Sequence, residues 1–240
     1  MTIVNDIFIS EHHYLIYIIG VIIFHWSYFM FDNILNKTSE KYKALTHDKK
    51  MYAVSNILKS VMLGGITPIA SYILYNGIAH NTWNNNLIKN IGVLYSIPDT
   101  VSVMAVNKMD MTTKIHHSVV IIFNMGSMHN NYNEENVFRC MLVYACFSSF
   151  AFLVNFMLGI RFLHNNKQFD KYLSRAAFLI YSKCCLINWV YHYYELKNQW
   201  NSCDENCYKI MLYLAMVTTI AVDDIKLNKW LFNKSKLLTY

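Results

Sequence analysis

Charge is scarce in this chain of 240 residues. Asp, Glu, Lys and Arg together make up 15% of it, against 55% hydrophobic residues, whereas a soluble globular domain carries ~25% charged residues. This composition excludes an ordinary soluble domain of this length. Glycine and proline are also few, at 7 and 2. No low-complexity segment or internal repeat is visible, so a repeat protein is not expected.

Positive charge is missing from the start of the chain. Residues 1–12 contain no Lys or Arg, so a cleaved signal peptide is not expected. Seven apolar segments follow, each long enough to cross a hydrocarbon core of ~30 Å as a helix at ~1.5 Å per residue. They cover approximately residues 13–35, 51–79, 87–106, 111–128, 137–162, 172–194 and 207–225. We therefore expect an all-α membrane protein with seven transmembrane helices.

The basic residues alternate from loop to loop. Fifteen of the 21 Lys and Arg residues lie in the segments 36–51, 107–114, 161–175 and 226–240. The N-terminus and the intervening loops contain only Lys89, Arg139, Lys197 and Lys209. Because cytoplasmic loops carry the excess of Lys and Arg, this pattern predicts an N-terminus that is outside or lumenal and a cytoplasmic C-terminus.

Ionisable residues inside the apolar segments fall into one layer. Their positions place them within ~5–17 Å of the predicted cytoplasmic boundary. The residues are Lys59, Asp99, His116, His117, Lys183, Asp223 and Asp224. An ionisable group in a membrane is energetically costly and by default indicates a functional site, with the side chains facing inward and paired.

The adjacent histidines have two interpretations. They either form a polar tether to Asp99 between neighbouring helices, or act as a general base or nucleophile that Asp99 orients. Adjacent helical residues point ~100° apart, so only one is expected to face the interior. His117 shares its stripe with Thr113 and Asn124, which favours His117. Helical histidines that chelate a metal use i, i+4 spacing, so no metal is expected.

The lysines and cysteines leave alternatives open. Lys59 and Lys183 either extend to the membrane boundary or pair with Asp99 and Asp223, and pairing is favoured for the deeper Lys183. The seventh segment has no mid-membrane lysine, which argues against a retinal protein. Cys203 and Cys207 either form a disulfide in an oxidising lumen or remain thiols. The four other cysteines are expected in apolar packing.

Four motifs resemble the TLC (TRAM–LAG1–CLN8) family of multi-pass membrane proteins. They are YAVSNILKS at 52–60, with Lys59 in the place of a common histidine; the Tyr95–Asp99 segment; KIHH at 114–117; and LNKW at 227–230. The resemblance implies an N-terminal helix and basic loop (1–45), a six-helix domain (46–236) and a short tail (237–240). It also implies an endoplasmic reticulum or related endomembrane location. The expected catalytic residues are His117, His116 and Asp99, and the expected lipid-binding residues are Asn56, Lys59, Asn124, Lys183 and Asp223.

An acidic pair of the ceramide synthases in this family is missing. No Asp or Glu lies between Glu135 and Asp170, so the chain is more similar to other TLC-domain proteins. We expect a protein that binds, senses or modifies a long-chain lipid in a cavity open to the cytoplasmic leaflet. No cofactor is expected, although acyl-CoA would be the co-substrate of an enzyme. The expected partner is membrane lipid and not nucleic acid, and the oligomeric state is left open.

Three other functions are considered. One is an acyl-CoA-dependent N-acyltransferase of the ceramide-synthase type. Another is a non-catalytic structural or regulatory membrane protein in which the polar cluster only locks helices together. The last is a fatty-acid elongase, whose H-x-x-H-H motif is matched here except that Thr113 stands at its first position.

Overall fold

The computed structural model describes residues 10–201 and 207–237, and within these ranges the chain forms helices and no strands. The helices are α1 (His13–Thr38), α2 (Glu40–Lys43), α3 (His47–Leu74), α4 (Asn85–Ala105), α5 (Met111–Met128), α6 (Val137–Ser149), α7 (Phe152–Ile160), α8 (Lys167–Asn201) and α9 (Cys207–Leu237). A π-helical turn, Tyr75–Ala79, extends α3. The all-α prediction is confirmed for this part of the chain.

Side-chain caps set several helix starts. Asn84 accepts a hydrogen bond from the Leu87 amide at the start of α4. Asp110 accepts one from the Thr112 amide at the start of α5, and Asn136 accepts one from the Phe138 amide at the start of α6. These side chains satisfy amides that have no partner within their own helix.

Fewer helices than seven have the length and composition of a clear membrane span. Within the described ranges, α1 and the 33-residue segment formed by α3 and its π turn are long and apolar enough to cross a membrane. The α6–α7 pair adds a third if its two parts, bent by 46°, form one broken span. The other long helices contain more polar residues, such as Asn90 and Asp99 in α4 and the His116–His117 pair in α5.

Thr67 stabilises the break between α6 and α7. Its hydroxyl donates to the carbonyl of Ser149, at 3.2 Å, as well as to Leu63 in its own helix. A backbone carbonyl released by a broken helix therefore has a partner, which is the condition for a break at membrane depth. Gly159 lets α7 approach α3, because a Cβ there would lie 2.9 Å from the Ala53 carbonyl oxygen.

Six helical walls form a closed ring. Going around it, α3 contacts α4, α4 contacts α5, α5 contacts α9, α9 contacts α8, and α8 contacts the α6–α7 pair, which returns to α3. Helix α1 lies outside the ring and packs against α4 and α3. The ring therefore has an interior to which all six walls can contribute side chains.

One end of the ring is filled by side chains. Arg139 is 6% exposed, and its guanidinium lies 4.9 Å from the Trp83 ring. Arg139 donates to the carbonyls of Tyr132 and Asn133, both at 2.8 Å. The Tyr132 hydroxyl in turn bonds Ser127 at 2.7 Å. We call this group of five residues the Arg139 cluster, and it lies at the end that the charge pattern predicts to be lumenal.

Candidate functional site

A cavity of about 420 Å³ lies inside the other end of the ring. Its wall combines residues from α3, α4, α5 and α9 with residues from both sides of the α6–α7 break. Asp110 and Lys226, both exposed, line its rim. These two residues belong to segments that the charge pattern predicts to be cytoplasmic. The cavity therefore opens at the end where the sequence predicts the ionisable layer.

Asp99 is buried against two residues of the cavity wall, Lys59 and His117. It is fully buried, and its Oδ1 accepts a hydrogen bond from the ammonium group of Lys59. Nδ1 of His117 lies 2.7 Å from the same oxygen, as an ion-pair contact. Asp99 Oδ2 is buried without a hydrogen-bond partner. The sequence predicted that Asp99 meets His117 and left a pairing of Lys59 with Asp99 as one of two alternatives; the structure brings the three residues together.

His116 forms a second pair with a carboxylate. Its Nδ1 lies 3.0 Å from Oδ2 of Asp223, whose other oxygen accepts a hydrogen bond from Thr113 at 3.3 Å. Both histidines line the cavity, with ring centroids 5.6 Å apart. The expectation that only one of them faces the interior is therefore wrong. The cavity is wide enough for both side chains to line it, although they point ~100° apart on the helix.

Asp224 is the acidic residue that the expected site set did not include. It is 4% exposed and accepts hydrogen bonds from Tyr144 of α6 and from Tyr181 of α8, the latter at 2.6 Å. Asp224 thus brings a carboxylate from α9 to the wall segment in which α6 has none. The only signal in the sequence was its position beside Asp223 at the end of the last apolar segment.

The remaining expected site residues are Asn56, Asn124 and Lys183, and each lies in a different environment. Asn56 lines the cavity and donates to the Tyr52 carbonyl at 2.8 Å. Asn124 lines a separate space of about 40 Å³, and neither its amide nitrogen nor its amide oxygen has a hydrogen-bond partner. His116 and Tyr95 border both spaces.

Lys183 does not join the cluster. It is exposed on α8, and no acidic partner for it is found in residues 10–201 and 207–237. Its neighbours Tyr181 and Cys185 are buried, and a residue two positions away on a helix points ~200° from each. The predicted pairing of Lys183 with an acidic residue is therefore wrong. Its depth along α8 matches that of the ionisable layer, but its rotation about the helix axis directs the side chain outward.

Arg161, which sequence reasoning left as a loop charge, also lines the cavity. Its guanidinium carbon lies 4.8 Å from the Phe162 ring, 5.0 Å from the Trp230 ring and 5.9 Å from the Tyr52 ring. On the α5 side of the rim, a hydrogen bond from the Thr112 side chain lowers the pKa of Asp110. The rim therefore carries charges of both signs.

The described parts of the chain contain no group of three or more His, Cys, Asp or Glu residues placed to hold a metal ion. Cys140, Cys146, Cys184 and Cys185 are free thiols. Cys203 lies outside the described residues, so its pairing with Cys207 stays a prediction. Comparisons with protein-family models, curated proteins and solved structures find no match to this chain.

Proposed function

We propose that this chain is a seven-span membrane protein that binds a long-chain lipid in the cavity, with the polar end of the lipid against His117, His116 and Asp99. The observation that carries the proposal is a cavity enclosed by a ring of helices and lined by His116, His117 and Asp223, with Asp99 buried against His117. A purely structural cluster has no need of open space beside it. The resemblance to TLC-domain proteins, with their endomembrane location, supports the same function.

The size and lining of the cavity suit such a ligand. Its volume of about 420 Å³ lies within the ~300–1,000 Å³ of typical small-molecule sites. Leu63, Val154, Leu158 and Leu227 supply apolar surface beside the ionisable groups. This combination fits an amphiphile, whose chain contacts apolar side chains while its headgroup meets the polar wall.

The orientation follows from the alternating Lys and Arg residues. With the N-terminus lumenal and the C-terminus cytoplasmic, the rim at Asp110 and Lys226 opens toward the cytoplasmic leaflet. A lipid of that leaflet would enter the cavity without crossing the bilayer. Glycosylation tags appended to each terminus test this topology, because only a lumenal tag is modified, and modification of a C-terminal tag would contradict it.

A second candidate, N-acylation of a long-chain amine by an acyl thioester, is favoured by one observation. Asp224 places a carboxylate against Tyr144 of α6, the wall in which the sequence lacks one. In this reaction His117, oriented by Asp99, accepts the proton of the attacking amine. The amine nitrogen forms a bond to the carbonyl carbon, and the thiolate leaves and takes up a proton.

The two candidates are separated by one assay. Purified protein is incubated with a sphingoid base and a panel of acyl-CoAs, and compared with the His117→Ala variant. Lipid binding that survives His117→Ala without turnover supports the binding protein. Turnover that His117→Ala abolishes supports the acyltransferase. Absence of both lipid binding and turnover in the unmodified protein would leave only the structural role.

A further inference from the structure

Arg161 lies against aromatic rings at the cavity wall and forms no ion pair within the described residues. It lies directly after α7, between Phe162, Tyr52 of α3 and Trp230 of α9, with all three rings within 6 Å of its guanidinium carbon. Stacking of this kind fixes the plane of a guanidinium and leaves its edge free for hydrogen bonds. The group is therefore oriented before any ligand arrives.

The hydrogen-bond donors of Arg161 are not used by the described part of the protein. Its Nε is buried without a hydrogen-bond partner. Within residues 10–201 and 207–237, no carboxylate lies within the 4.0 Å of an ion pair with it. A buried charged donor without a partner is costly, and a guanidinium edge is matched best by the two oxygens of a carboxylate or phosphate.

The charges near Arg161 favour an anion on its side of the cavity. Lys226 lines the same cavity and is exposed. The Lys41 ammonium group lies behind Arg161, where it donates to the carbonyls of Arg161, at 3.4 Å, and of His164. The acidic residues of the wall contact other groups: Asp223 contacts His116, Asp224 contacts two tyrosines, and Asp110 accepts hydrogen bonds from Thr112. Asp170, whose charge also acts on Arg161, lies 3.5 Å from His164.

We propose that Arg161 binds a phosphate ester group of the amphiphile whose chain occupies the cavity. This inference rests on the proposed function and specifies its ligand. The shared chemistry is a phosphate at the predicted cytoplasmic rim, whether it belongs to a phospholipid headgroup or to a soluble acyl carrier such as acyl-CoA. Lys226 contributes a second positive charge, and the histidine pairs contact the part of the ligand that lies deeper.

The test is equilibrium binding to the purified full-length chain in detergent. Four probes are compared: palmitoyl-CoA, phosphatidic acid, CoA without an acyl chain, and diacylglycerol, which has no phosphate. The variants are Arg161→Gln and Arg161→Lys. The matched control is Arg175→Gln, because Arg175 lies on the same predicted side of the membrane and does not line the cavity. Competition by pyrophosphate on the unmodified protein gives a measurement that needs no variant.

We expect Arg161→Gln to weaken binding of the phosphate-bearing amphiphiles at least tenfold, Arg161→Lys to weaken it less, and Arg175→Gln to leave it unchanged. Diacylglycerol affinity should not change, and pyrophosphate should displace only the phosphate-bearing probes. Palmitoyl-CoA and phosphatidic acid then identify the source of the phosphate.

Equal losses for diacylglycerol and the phosphate-bearing probes would overturn the inference and make Arg161 structural. Binding of all amphiphiles that is unchanged by Arg161→Gln and by pyrophosphate would also overturn the inference, while the proposed lipid function would stand. Arg161-dependent binding of CoA alone, with no affinity for any acyl chain, would support the phosphate site and overturn the lipid function.

Discussion

The two ends of the helix ring each contain an arginine next to aromatic rings, Arg139 buried and Arg161 half-buried, and they differ in what else the arginine touches. Arg139 contacts Trp83 and donates to two backbone carbonyls. Arg161 contacts three rings, but its buried Nε has no partner. Satisfied donors at the first end close the ring, and unsatisfied donors at the second face a cavity. The residue type alone therefore does not indicate function, whereas the remaining hydrogen-bonding capacity does.

The same contrast holds for the other polar groups. In the Arg139 cluster each polar group named above is bonded to another part of the protein. Beside the cavity, Asp99 Oδ2 is buried without a partner. The packed end holds the ring together, and the open end retains groups that a ligand or water can satisfy.

The largest expected effect concerns the Lys59–Asp99 ion pair at the open end. Lys59→Met leaves Asp99 buried with only His117 nearby, and breaking a buried ion pair costs ~3–5 kcal/mol. We expect a loss of that size in the free energy of unfolding, measured in detergent micelles. The double variant Lys59→Met, Asp99→Asn removes both charges and should recover most of the loss. No recovery would show that Lys59 acts through packing.

Arg139→Leu should destabilise the packed end by about 3 kcal/mol, because it leaves the carbonyls of Tyr132 and Asn133 without their donors. Arg161→Gln is the matched comparison and should cost about 1 kcal/mol, the size of the lost ring contacts. Both are read from the same unfolding measurement. Equal losses in the free energy of unfolding for Arg139→Leu and Arg161→Gln would contradict the difference between the packed end and the open end.

Asn124→Leu should raise the free energy of unfolding by about 1 kcal/mol. The substitution removes two buried polar atoms that have no partner and keeps a side chain of similar size. Unfolding in detergent micelles measures it, with Ser127→Ala as a control that removes a hydrogen bond already made and so should destabilise. A loss of stability in Asn124→Leu would mean that a bound water satisfies Asn124, and that the cavity continues as a hydrated space.

Lys183→Gln should change the free energy of unfolding by less than ~0.5 kcal/mol, as for other exposed positions. Lipid affinity should not change either, because Lys183 does not line the cavity. A clear loss of lipid affinity would return Lys183 to the site and contradict its outward rotation.

The polar layer could be predicted from the sequence because depth follows directly from position along an apolar helix. Depth brought Lys59, Asp99 and His117 to the same level, and the structure joins them. Rotation about the helix axis and neighbours across helices are set by packing. This is why Lys183 was expected inside, why Asp224 was not expected against Tyr144, and why Arg161 was assigned only to a loop.

The number of membrane spans illustrates the same limit. Seven apolar segments were expected, and two or three helices in the described chain are clearly apolar enough to cross a membrane. Helices such as α4 and α5 direct polar residues into the ring, which lowers their average hydropathy. Composition along one helix cannot separate an inward polar face from a solvated one.

Lipid mass spectrometry on the purified protein shows directly whether the cavity holds a lipid. Ala151 is 9% exposed and lines the cavity, so the ring of Ala151→Phe should occupy part of the space that the lipid needs. Ala176→Phe adds the same ring to a half-buried position of α8 that does not line the cavity. We predict a long-chain lipid bound to the unmodified protein and to Ala176→Phe, and strongly reduced in Ala151→Phe. No bound lipid, or equal amounts in all three proteins, would contradict the account.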